Sequence, residues 1–66
     1  MKNTIRVERA ILDMTQQQLA AAIGVSRNTI NSIESGKYVP STVLALKIAR
    51  YFGKPTDSIF ELDEND

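Results

Sequence analysis

Arg27, Asn28, Asn31 and Ser32 fall within six consecutive positions of a 66-residue chain, interleaved with Ile30 and followed by Ile33. At helical spacing the two isoleucines turn inward and the four polar side chains turn outward. Their types are the ones that hydrogen-bond base edges or phosphate oxygens. An arginine fork matches guanine O6 and N7, and an asparagine amide matches adenine N6 and N7.

Other chemistries lack their parts. The chain contains no histidine and no cysteine, so a Ser–His or Cys–His nucleophile, a His-ligated metal, a disulfide and thiol redox control are all excluded. Glu61, Asp63, Glu64 and Asp66 lack the glycine and the spacing of a calcium loop, and the glycines at 24, 36 and 53 form no phosphate-binding motif. The sequence therefore implies no enzyme activity, no cofactor and no metal.

The polar cluster needs a helix held at a steep angle to a second one, and the stretch Thr15 to Glu34, TQQQLAAAIGVSRNTINSIE, supplies both. Thr15 and Gln18 have the capping-box spacing at the start of one helix. Gly24 follows the apolar run Leu19 to Ile23 and is the residue that tolerates positive φ where a helix ends. Ser26 caps the next helix. The expected helices are 16–23 and 27–35, sharing a core through Leu19, Ala20, Ile23, Val25, Ile30 and Ile33.

Three more helices are expected around this unit. Residues 4–12 space Ile5, Arg9 and Leu12 at three to four positions, and Asp13 and Met14 link them to Thr15. After a loop over 35–40, with Gly36 as C-cap, Ser41 caps a helix that runs to about Phe52, where Gly53 and Pro55 end it. A last short helix covers 56–59. Ala45, Ile48, Ala49 and Phe52 make one stripe on the fourth helix, while Leu44, Leu46 and Tyr51 lie outside it. Together with Ile59, Phe60 and Leu62 this surplus either closes the monomer core or forms a seam with a second copy.

Global composition fits one small domain near the size where folding alone is marginal. The formal net charge is zero, which by itself argues against a polyanion partner. Distribution answers that objection: residues 1–60 carry eight Lys and Arg against four acids, a net of +4, and the other four acids lie in 61–66. The body is basic, with 61–66 as a short solvated acidic tail. No apolar run approaches the roughly 18 residues of a membrane span, and no secretory h-region is present, so a soluble, cytoplasmic protein is expected.

The segments TQQQLA, GVSRNTINSIESGK and the P-S-x-x-x-A-L-K-I-A pattern over Pro40 to Ala49 resemble the phage repressor and Cro family of helix-turn-helix proteins. The resemblance covers nearly the whole chain and is nearest to short stand-alone bacterial repressors. It implies an all-α, lambda-repressor-like bundle of five short helices over 1–60. Some short relatives add a small sheet, here pairing 60–62 with 1–3.

The resemblance also implies roles. The helix starting at Arg27 enters the major groove while 15–23 crosses the phosphate backbone. Arg27, Asn28 and Ser32 are then the base-contacting set, and Gln16 or Gln17, Asn31, Lys37, Tyr38 and Ser41 the phosphate set. Arg9 and Glu34 match positions where relatives place an ion pair. Binding as a homodimer to a palindromic double-stranded operator is usual for the family and selects the seam, through Leu44, Tyr51, Ile59, Phe60 and Leu62. A repressor with no small-molecule ligand is the expectation, and a DNA-binding antitoxin or restriction-modification controller that also binds a partner protein is the alternative. Thr42 departs from the family's usual leucine, and its hydroxyl needs a partner if buried.

Overall fold

Local punctuation sets where each helix begins and ends in the computed structural model, which describes residues 1–66. The elements are β1 (Lys2–Asn3), α1 (Ile5–Ile11), α2 (Gln16–Ile23), α3 (Arg27–Glu34), α4 (Thr42–Phe52), α5 (Thr56–Ile59) and β2 (Phe60–Glu61). Thr15 and Gln18 form a complete capping box, and the Ser26 and Ser41 hydroxyls accept from the N–H groups of Thr29 and Leu44. Each cap satisfies a donor that the first helical turn leaves free and contributes about 1 kcal/mol.

Gly24 makes the joint between α2 and α3. It adopts φ 86°, and the N–H of Val25 closes back on the Ala20 carbonyl at 3.0 Å. That left-handed residue ends α2 and turns the chain into Ser26 within three positions. The first joint uses Asp13 at φ 54°, a conformation that aspartate tolerates better than most side chains. At the end of α3 the C-cap is Ser35 rather than the expected Gly36. Gly36 lies one residue beyond at φ 80°, which lets the Lys37 N–H reach the Ser32 carbonyl.

The two strands pair antiparallel, Lys2 opposite Glu61 and Asn3 opposite Phe60. This small sheet brings the chain ends together beside α5. The core contains Ile5, Leu19, Ala20, Ile30, Ile33, Ile48, Ala49, Ile59 and Phe60. A fully buried Ile or Leu contributes about 1.5–3 kcal/mol, and Ala20 is small enough to let α2 and α3 approach closely.

Ile59 and Phe60, expected at an intersubunit seam, are instead 1% and 7% exposed inside the monomer, because α5 and β2 fold them against α4. Leu44 is half-buried against the same core. On α1 the inner position after Ile5 is Glu8, not Leu12, which lies beyond the helix end and is exposed. Thr42 is exposed, so its hydroxyl needs no protein partner.

The acidic tail is not simply solvated. Asp63 and Asp66 each lie 3.1 Å from the Met1 amine, and Asp66 also accepts the Asp63 N–H. No helix is long and apolar enough to cross a membrane.

Candidate nucleic-acid interface

The interface is built on α3, whose two faces are chemically opposite. Ile30 and Ile33 are buried, while Arg27, Asn28 and Asn31 are exposed and Ser32 is half-buried. Arg27 and Asn28 occupy the first turn. Neither makes a hydrogen bond or ion pair to another protein side chain, which leaves the arginine fork and the asparagine amide available to a ligand. Ser32 follows about one turn later on the same helix.

The loop after α3 is tied directly to that helix. The N–H groups of Lys37 and Tyr38 both donate to the Ser32 carbonyl, at 2.9 and 3.2 Å. Backbone geometry thus holds the Lys37 and Tyr38 backbone against the end of α3, with both side chains exposed. Ser41 is exposed, and its hydroxyl oxygen accepts the Leu44 N–H at 3.1 Å. Its own proton remains free to donate.

At the start of α2, Gln17 points to solvent, whereas Gln16 is engaged. The Gln16 Nε2 donates to Asn31 Oδ1 and to Glu34 Oε1, both at 3.3 Å. Gln16 therefore bridges α2 and α3, and the N-terminus of α2 keeps free backbone donors suited to an anion.

Behind the face, Arg9 and Glu34 form a two-pronged pair, Nε to Oε2 at 2.6 Å and Nη2 to Oε1 at 3.0 Å. Arg9 Nη1 also donates to the Met14 carbonyl at 2.8 Å. The hydrogen bond to Glu34 raises the arginine pKa above its already high ordinary value, with burial opposing it. This pair ties α1 and the following turn to the end of α3.

Three structural contacts escaped the sequence. Asn3 Nδ2 donates to the Ile33 carbonyl at 2.9 Å while its Oδ1 accepts the Ile5 N–H, so it anchors the sheet to α3 and caps α1. Glu8, 7% exposed, accepts from Lys54 Nζ at 2.7 Å. The Met1 amine meets the tail. The three-residue spacing from Ile5 could have marked Glu8 as inward-facing, but nothing in the sequence marked Lys54 as its partner, and the other two contacts carried no signal.

Two helices, α2 and α3, joined by the tight turn at Gly24, with the polar face of α3 turned outward, form a helix-turn-helix. The helix-turn-helix family matches residues 5–59, and the chain belongs to it, in the Cro and repressor class. It is 47% identical to an uncharacterized HTH-type transcriptional regulator of Methanocaldococcus jannaschii over the full length of both chains. It is 42% identical to the Bacillus subtilis uncharacterized HTH-type transcriptional regulator YgzD, over 97% of each chain. It is also 35% identical to the cryptic phage CTXphi transcriptional repressor RstR of Vibrio cholerae, over 91% of this chain and 56% of that protein. The relatives come from archaea as well as bacteria, which widens the bacterial setting expected from the sequence. The family is one of DNA-binding transcription regulators.

Proposed function

We propose that the protein is a homodimeric transcriptional repressor that reads a palindromic operator with the exposed face of α3. The observation that carries this reading is the unpaired Arg27 and Asn28 at the leading end of a helix whose other face is sealed in the core. Similarity to RstR, named a repressor, supports the sign of regulation. In this reading Arg27, Asn28 and Ser32 contact bases. Gln17, Lys37, Tyr38 and Ser41 contact phosphates, and the Gln16 amide donors stay on Asn31 and Glu34.

A second copy is favoured by the apolar surface that the fold leaves open. Val43, Leu46, Tyr51 and Leu62 are 63%, 53%, 43% and 72% exposed. With Ile59 and Phe60 inside the monomer, Tyr51, Leu62 and the half-buried Leu44 remain from the expected seam, and Val43 and Leu46 extend it along α4. Two-fold pairing would place the reading helices about one turn of DNA apart.

Titration of duplex DNA at several salt concentrations, with sedimentation of the complex, tests this reading. Two protomers per duplex are expected, and Lys37→Ala should lower the salt slope by about one per protomer. Absence of DNA affinity at low salt, or a one-to-one complex at every concentration, contradicts it.

A further inference from the structure

The contacts around Gln16 form a chain in which each group's chemistry dictates the next. Arg9 can only donate, and the ionised Glu34 carboxylate, 3% exposed, can only accept. Glu34 Oε1 takes Arg9 Nη2 at 3.0 Å and Gln16 Nε2 at 3.3 Å. The Gln16 side chain must therefore turn its NH2 toward Glu34, because its carbonyl oxygen would meet a carboxylate oxygen. The same NH2 reaches Asn31 at 3.3 Å, so Asn31 must turn its Oδ1 back to receive it. That leaves the Asn31 Nδ2 on the exposed face of α3, one helical turn beyond Arg27.

We propose that Asn31 is a specificity-determining residue preset as a hydrogen-bond donor, with Gln16 and Glu34 as the positioning residues that set its polarity. This inference rests on the DNA-reading function above. It moves Asn31 from the backbone-contacting set to the base-reading set and states which edges it recognises. A donor pointing into the major groove pairs with an acceptor, guanine O6 or N7, adenine N7 or thymine O4, and is mismatched with cytosine, whose N4 amine only donates. The bidentate contact to adenine requires Asn31 Oδ1 to face the base as well, and here it faces Gln16. Asn28, with no such constraint, keeps both options.

The test has one readout in the free protein and one on DNA. In the free protein, hydrogen exchange of side-chain amides should show Gln16 protons slowed relative to those of Asn31, and Glu34→Gln should remove the difference. Equal rates in the wild type overturn the chain of contacts. On DNA, base preferences are measured by selection from random duplexes with wild type, Asn31→Ala, Gln16→Ala and Gln16→Glu. The expected result is discrimination against cytosine at one position per half-site, about three- to tenfold, erased by Asn31→Ala and weakened by Gln16→Ala.

Gln16→Glu offers only acceptors to Asn31, so the amide turns over and its Oδ1 faces the groove. The preference at that position should then reverse, with cytosine accepted through its N4 donor and guanine and thymine, which present only acceptors, disfavoured. A purely structural role for Gln16 would lower affinity without moving this preference. Thermal melts separate folding failure from loss of reading, and Gln16→Ala, which introduces no charge beside Glu34, keeps the test available if Gln16→Glu does not fold. An unchanged wild-type motif in Asn31→Ala or Gln16→Ala overturns the inference while leaving the DNA-reading function intact. No enriched motif for the wild type removes both.

Discussion

Arg9 and Glu34 meet through two parallel hydrogen bonds of 2.6 and 3.0 Å, and this pair holds α1 against the C-terminal end of α3. The Glu34 side chain is 3% exposed and that of Arg9 14%, so little water can replace either partner. Glu34→Ala should cost about 3–5 kcal/mol, most of it from the stranded guanidinium. The double variant Arg9→Met, Glu34→Leu should recover much of that loss, since apolar pairs of similar volume often replace buried ion pairs without penalty. Urea unfolding of the three proteins measures both effects. An unchanged midpoint for Glu34→Ala would remove the pair from the account.

Lys54 and Glu8 behave differently because only one of them is buried. The Lys54 side chain is 44% exposed, whereas that of Glu8 is 9% exposed and shares the inner face of α1 with Ile5. Lys54→Ala should cost about 1–3 kcal/mol by leaving a buried carboxylate without its strongest donor. Adding Glu8→Gln should return part of that loss, because a neutral amide is less costly to bury. Chemical denaturation of the single and double variants reads the difference.

Gly24 has open space where a Cβ would lie, with nothing within 4 Å. The whole penalty of Gly24→Ala is then conformational, about 1–2 kcal/mol for a left-handed residue. Gly24→Asn should lose less, since asparagine visits that region more readily. Equal melting temperatures for glycine and alanine would mean that the turn between α2 and α3 can relax to negative φ.

Closure of the two chain ends should depend on pH in opposite directions at the two limits. The Asn65 N–H, and next the Met1 amine, hold the Asp63 carboxyl below its ordinary 3.8. The Asp63 and then Asp66 carboxylates raise the amine above its ordinary 8.0. A depressed acid adds stability above its unfolded value and loses it as pH falls through the folded one. A raised amine adds stability below its unfolded value and loses it as pH rises through the folded one. The tail should therefore stay docked across the neutral range, opening in acid below about 3.8 and in base above about 8. Chemical shifts of the Asn65 amide across pH report this, and a flat profile would contradict it.

What the sequence made legible follows from distance along the chain. The Thr15–Gln18 box, the Ser26 and Ser41 caps and the Gly24 turn are all contacts within three or four residues, and the residue types declare them. Asn3 to Ile33, Glu8 to Lys54 and Met1 to Asp63 join residues 30, 46 and 62 positions apart, where spacing carries no signal. Arg9 and Glu34 became readable only through the family resemblance. Ile59 and Phe60 show a second limit: an apolar side chain meets the same requirement in a monomer core as in a dimer seam, so hydrophobicity could not choose between them. Polarity at Gln16 and Asn31 was visible, but the direction of their amides depends on a carboxylate that α3 brings alongside only after folding.

The central claim, that α3 reads bases through Arg27 and Asn28, is tested most directly by selecting bound sequences from random duplex DNA at fixed low salt. Wild type, Arg27→Ala and Asn28→Ala are compared. The account predicts a two-fold symmetric motif for the wild type, with guanine preference relaxed at one position per half-site in Arg27→Ala and a different position relaxed in Asn28→Ala. No enriched motif for the wild type, or the same motif in all three proteins, would contradict it.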